Sequence, residues 1–170
     1  MRPVSDASHS IDPAQLGAYF ELIEVSSLLR YAIEQQLRAE GLTFVQFQIL
    51  RRLQLSDTGS RRMTDLADAI VFSRSGLTYQ AGQLERDGLV RRAPSADDER
   101  SVLISITEAG RARVSAVLPG HERVVGRLFF EPLSREGARL LTELLAPVRE
   151  HMRQGPPPSA TPSRRPRRPV

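Results

Sequence analysis

The residues best suited to chemistry lie between Ser73 and Arg86, and their chemistry is hydrogen bonding rather than catalysis. Wound as a helix at ~100° per residue, the stretch puts Leu77, Ala81 and Leu84 on one side, with Gln80 near its edge. Ser75, Tyr79, Gly82 and Arg86 fall on the opposite side, flanked by Thr78 and Gln83. Hydroxyls and an amide can both donate and accept, and an arginine can grip guanine in a bidentate way. Such a face suits base edges in the DNA major groove. Its readers would be Ser73, Arg74, Ser75, Thr78, Tyr79 and Gln83.

The neighbouring residues would position that helix. Ser73 can cap its N-terminus, and Gly88 sits where a stop is expected. Upstream, Thr64 can cap a short helix from Asp65 to Ile70, and Val71-Phe72 forms the turn between the two. Two short helices with a tight turn, the second presenting a polar face, form a helix-turn-helix. Downstream, Leu89 to Ala93 and Val102 to Ile106 read as strands. The connection PSADDERS, Pro94 to Ser101, is long and charged and reads as an exposed hairpin tip, the wing of a winged helix. Arg91 and Arg92 at the strand start, and Arg61 and Arg62 before the Thr64 helix, are either phosphate contacts or ordinary surface charge.

The flanks are helical. Asp12-Pro13 is a strong helix start, and the following segment runs to Gly41. Its apolar positions spread over more than one face, which predicts packing on a second chain or inside a bundle. Thr43 caps a second helix with Phe44, Phe47, Leu50 and Leu53 at three-residue spacing. Ser56 to Arg62 reads as a loop. Thr107 caps a helix towards Phe130, with a kink or break expected at Pro119-Gly120. Ser134 caps a last helix to about Met152, with a second kink expected at Pro147.

Composition excludes several functions. There is no Cys, hence no disulfide, thiolate metal site or thiol sensor. His9, His121 and His151 have no metal-ligand spacing. No Gly-rich phosphate loop or Ser-His-Asp set suggests an enzyme, and no cofactor is expected. With no signal peptide and no apolar run of ~20 residues, a soluble cytoplasmic protein without a membrane partner is expected. The net charge of +4 misleads: Arg153 to Val170 holds five Arg and no acid, leaving −1 for everything before it. That Pro-rich tail is read as disordered, and it either adds nonspecific DNA affinity by counterion release or merely solubilises. Asp12 to Glu40 is acidic and Arg51 to Arg113 mildly basic.

The segments LTFVQFQIL, MTDLADAI, FSRSGLTYQAGQLERDGLV and DDERSVLISITEAGR resemble the MarR type of bacterial transcription regulator, over about Asp12 to Met152. The last is the most specific, holding the wing pattern Asp-x-Arg at Asp98 and Arg100. The resemblance implies a homodimer built on the first and last two helices, with the Ser73 helix in the major groove. It implies that Arg100 enters the minor groove, held by Asp98, and that a small aromatic effector can bind between the dimer helices and the DNA-binding lobe. Phe20, Tyr31, Phe47 and His121 are the candidates to line that pocket, although core or dimer packing is the plainer reading of the aromatics and a solvated ring that of His121. Where many members carry Arg after the Thr of the recognition helix, this chain has Tyr79 and Gln80, so base preference does not carry over.

The expected fold is mainly α with a small β-hairpin wing: a winged helix-turn-helix with long N- and C-terminal dimerisation helices. Residues 1–11 form a flexible start, 12–42 the first dimerisation helix, 43–107 the DNA-binding lobe, 108–152 the C-terminal dimerisation helices and 153–170 the tail. The expected function is a sequence-specific regulator, a repressor released by a small ligand, binding double-stranded DNA as a homodimer on a pseudo-palindromic operator. The alternative is a winged-helix dimer that recruits another protein and never reads DNA.

Overall fold

A computed structural model describes residues 10–95 and 101–155. The wing residues Asp98 and Arg100, the first nine residues and the tail from residue 156 lie outside the described residues. The chain order is α1 (Pro13–Ala39), α2 (Phe44–Gln54), β1 (Ser60–Arg62), α3 (Met63–Ala69), α4 (Arg74–Arg86), β2 (Val90–Pro94), β3 (Val102–Ile106), α5 (Glu108–Val125), a π-helical segment (Gly126–Phe130) and α6 (Arg135–Arg153).

Helix α1 starts where its sequence dictates. The Asp12 carboxylate accepts from the backbone N–H groups of Ala14 and Gln15, and the Gln15 side chain accepts from Asp12 N–H. Such a reciprocal cap is worth about 1 kcal/mol. Thr43 and Gln46 repeat the device at α2. Only the C-terminal part of α1 joins the core, through Ile33 and Leu37. Residues 11–28 are exposed throughout, including Leu16, Phe20, Ile23 and Leu28. Helix α6 buries nothing, and Leu140, Leu144 and Val148 stand exposed on it.

The core lies between the C-terminal end of α1, α2, α4, α5 and one face of the sheet. Leu37, Ile49, Leu50, Leu53, Leu66, Leu77, Leu84, Val90, Ile104, Val114 and Val117 are its largest fully buried side chains. At Gly110 in α5 the backbone comes so close to the residue before β2 that an added Cβ would sit 2.2 Å from the Leu89 carbonyl oxygen. Thr107 locks the same corner. Its hydroxyl donates to the Gly88 carbonyl at 2.7 Å and accepts from Gly110 N–H at 3.0 Å.

Three local expectations need correction. Ser60 to Arg62 is not loop but the edge strand β1, in a three-stranded antiparallel sheet of order β1-β3-β2. Three residues are too few to show a period of two, and pairing with β3 (Ser60 to Ser105, Arg61 to Ile104) is what makes them a strand. Thr64 does not cap α3: that helix starts at Met63 after Arg62, without a side-chain cap, and the Thr64 hydroxyl turns to Asp65 at 3.2 Å. Helix α5 is not broken at Pro119-Gly120 but runs on to Val125. Proline removes one N–H bond there, to the Ser115 carbonyl, while Val114 and Val117 hold the helix in the core on the preceding turn. The irregularity comes later, in the π-helical turn where Glu131 N–H donates to the Gly126 carbonyl. Helix α6 contains Pro147, as its sequence pattern has it.

Candidate nucleic-acid interface

The helix-turn-helix is made by α3 and α4. Phe72 N–H donates to the Ala67 carbonyl at 3.0 Å and Val71 N–H to Asp68 at 3.3 Å, closing α3 as a helix with a left-handed cap closes. Val71 takes the left-handed position with φ of 55°, which glycine usually fills, and it does so on the surface. Ser73 then caps α4 by accepting from Gly76 N–H at 3.2 Å. The Phe72 ring packs so tightly over Gly76 that a Cβ there would lie 2.6 Å from it.

With Leu77, Ala81 and Leu84 buried, α4 is held by one stripe and shows the other. Ser73, Arg74, Ser75, Thr78 and Tyr79 are exposed, and Gln83 is half-buried at the margin. The Thr78 hydroxyl donates to the Arg74 carbonyl at 2.9 Å, which leaves its oxygen lone pairs facing outward as acceptors. Tyr79 is 64% exposed, so its phenol is available to a partner. The first half of α4 therefore offers donors, acceptors and a planar cation within two turns. This is the chemistry that reads base edges.

The second half differs from expectation. Gly82 does not face open solvent, because the Arg92 guanidinium lies over it: a Cβ on Gly82 would be 3.8 Å from Nη2. Arg92 is bound to Glu85, donating through Nε at 2.8 Å and Nη2 at 2.5 Å, and through its backbone N–H at 3.0 Å. Those bonds hold the Glu85 carboxyl below the usual carboxylate range. Of the four arginines read as phosphate contacts, Arg61, Arg62 and Arg91 are exposed and Arg92 is drawn inward to this carboxylate. A cleft of about 400 Å³ opens between α4 and the root of the wing, with Arg62, Arg74 and Arg92 on its walls beside Thr64 and Thr78. Glu85 was not visible in the sequence as a functional residue. Its only signal was an acid at the edge of the helix face, seven residues before an arginine.

Of the four effector candidates, Phe47 and His121 meet, while Phe20 and Tyr31 lie apart on α1. Phe20 and Tyr31 are exposed on α1, about 16 Å apart along the axis. Phe47 is buried and stacks on His121 with ring centroids 4.7 Å apart. Burial pushes the His121 imidazole down from its ordinary range, Arg51 pushes the same way, and Glu122 pulls it back. A separate cleft of about 460 Å³ lies between α1 and α5, lined by Gln36, Glu40, Gly120, Arg123 and Arg127, none of which the sequence marked as a site residue. Their convergence depends on α1 packing against α5, which no local pattern encodes. Among the described residues no group of acids and histidines could hold a metal, and no helix is long and apolar enough to cross a membrane.

Comparison with known proteins agrees with this geometry. The sequence model of the MarR family matches residues 40–101, the span from the end of α1 through the wing. The repressor YetL of Bacillus subtilis is 28% identical over 145 residues, covering 84% of this chain and 85% of the relative. AbsC, a MarR family transcriptional regulator from Streptomyces coelicolor, superposes with a TM-score of 0.80 at 32% identity, covering 87% of this chain and all of the other. Sco3205, a regulator of the same family and organism whose crystal structure is in complex with DNA, superposes with a TM-score of 0.79 at 28% identity, over 86% and 92% of the two chains.

Proposed function

This chain belongs to the MarR family of transcriptional regulators, and from that premise we propose that it binds a pseudo-palindromic operator as a homodimer and acts as a repressor released by a small aromatic ligand. The observation that carries the DNA reading is the exposed face of Arg74, Ser75, Thr78 and Tyr79 on a helix whose opposite stripe is fully buried. Side chains on a helix fixed that firmly meet base edges at little further cost in order. The crystal structure of Sco3205 in complex with DNA supports the same use of the fold, and the repressor YetL supports the sign of regulation. Ser73, Arg74, Ser75, Thr78, Tyr79 and Gln83 are the proposed major-groove readers. Arg100, positioned by Asp98, is the proposed minor-groove reader, and Arg61, Arg62 and Arg91 are proposed phosphate contacts.

The homodimer is supported by the bare apolar surface on α1 and α6. Leu16, Phe20, Ile23 and Leu28 on one helix and Leu140, Leu144 and Val148 on the other leave more exposed apolar area than an isolated chain usually tolerates. Two-fold pairing would then set half-sites about one turn of DNA, ~10 bp, apart. Phe20 and Tyr31, exposed in the single chain, would be covered by the partner. The dimer would work in the cytoplasm, where bacterial operators lie. Release requires a ligand that binds better to a dimer with wrongly spaced recognition helices than to the DNA-bound one. A pocket between the dimer helices and the lobe, near Phe47 and His121, is the proposed place for it.

The test is selection of random duplex DNA by the purified protein at physiological salt, with Arg100→Ala in parallel. An enriched inverted repeat, weakened in the variant mainly where the flanks are A·T-rich, is the expected result. Absence of any enriched sequence would overturn the DNA reading.

A further inference from the structure

The wing is tied to α4 at one conspicuous place. Strand β2 is an edge strand, paired on one side with β3, and its outer edge faces α4. Val90 is buried, but Arg91, Ala93 and Pro94 are exposed and add little grip. Between them Arg92 reaches back to Glu85 in the last turn of α4, and three hydrogen bonds converge on one carboxylate. One comes from the backbone, so the strand itself is held and not merely a mobile side chain. The other two fix the guanidinium over Gly82 and so along the flank of the helix.

An acid on a DNA-facing surface repels phosphate and needs a reason to be there. Here the reason is geometric. A helix in the major groove and a wing at the adjacent minor groove must seat together, and the chain joining them is only Asp87 to Leu89, with Gly88 at φ of 71°. A few degrees of play at that joint would leave one reader misplaced whenever the other is seated.

We propose that Glu85 is a positioning residue for operator recognition: by holding Arg92 through its backbone and its guanidinium, it fixes the angle between the recognition helix and the wing, and it spends Arg92 on that task rather than on a phosphate. This rests on the reading of α4 as the DNA-reading helix. It makes Glu85 specificity-determining without any contact to DNA.

The test uses the full-length protein, the inverted repeat that the wild type selects, and the same repeat with its A·T flanks replaced by G·C. Glu85→Gln removes a negative charge, so binding to both duplexes should tighten or hold while the ratio between them falls roughly five-fold, the scale of a half-exposed ion pair. A plain electrostatic role would shift both duplexes equally and leave the ratio intact, which would overturn the proposal. The double variant Glu85→Gln/Arg92→Gln keeps the net charge. It should lose the same discrimination with the slope of log K against log salt unchanged. A slope lower by about 0.9 would identify Arg92 as a phosphate contact and overturn the proposal. In the free protein, the Arg92 amide should exchange faster in Glu85→Gln while α5 amides keep their protection; equal protection at Arg92 would also overturn it. A wild type that selects no repeat defeats the DNA reading and this proposal together. A wild type that selects one, with the ratio kept in Glu85→Gln, defeats this proposal alone.

Discussion

The imidazole of His121 lies against the ring of Phe47, centroids 4.7 Å apart and planes tilted by 45°, with its Nδ1 buried and without a hydrogen-bond partner among the described residues. That pairing joins α2 to α5. It favours a neutral imidazole, because charging the ring would leave a cation with a buried, unpartnered nitrogen.

A pH dependence follows from it. The folded pKa of His121 is depressed below the ordinary value of about 6.5, with burial as the leading cause. Below that ordinary value the unfolded chain binds the proton more readily than the folded one, so stability is full above it and falls as pH drops through it. His121→Gln should therefore lose less stability than the wild type between about pH 7.5 and pH 5.5 in urea titrations. Equal losses would show that His121 protonates alike in the folded and unfolded chains.

Gly110→Ala should destabilise the lobe. The added methyl would sit 2.2 Å from the Leu89 carbonyl oxygen and 2.8 Å from the Ile106 side chain, and the first of these is backbone that cannot rotate away. A cost of about 1–3 kcal/mol is expected. Urea unfolding measures it, and a change within error would mean that α5 shifts freely against the sheet.

Val71→Gly should do the reverse. At φ of 55° a β-branched residue is strained, and its side chain is exposed and contributes little packing. Relief of the strain, less the extra chain entropy that glycine loses, should stabilise by roughly 0.5–1 kcal/mol. A lower melting temperature would show that Val71 is held by contacts worth more than its strain.

Leu144→Glu should separate protomers. Leu144 is 69% exposed on a helix with no buried residue, so the substitution leaves the described core untouched. Sedimentation equilibrium should show a wild-type dimer and a variant shifted to monomer, with an unchanged circular dichroism spectrum. A wild type that is monomeric at micromolar concentration would remove the dimer from the proposal.

Much of this was legible along the chain because it is local. Asp12-Pro13, Thr43, Ser73, Thr107 and Ser134 announce helix starts through bonds that span three residues, and each caps as expected. The buried stripe Leu77, Ala81 and Leu84 follows from periodicity, which is why the exposed face of α4 could be named in advance. Thr64 misled because α3 could begin two residues earlier without a side-chain cap.

What the sequence by itself determined is therefore the set of helices, the wing strands, the stripe that α4 buries and the family. Each is encoded by neighbours within about one or two turns, where spacing converts directly into geometry. Tertiary structure alone decided the rest. It made Ser60 to Arg62 a strand by giving it β3 to pair with, carried α5 past Pro119 by packing its core residues, and brought Gln36 to Gly120. It turned Arg92 from a surface cation into the partner of Glu85. These outcomes depend on segments folding back on one another, and the free energy that selects them comes from contacts between positions whose separation in the chain says nothing about their distance in space.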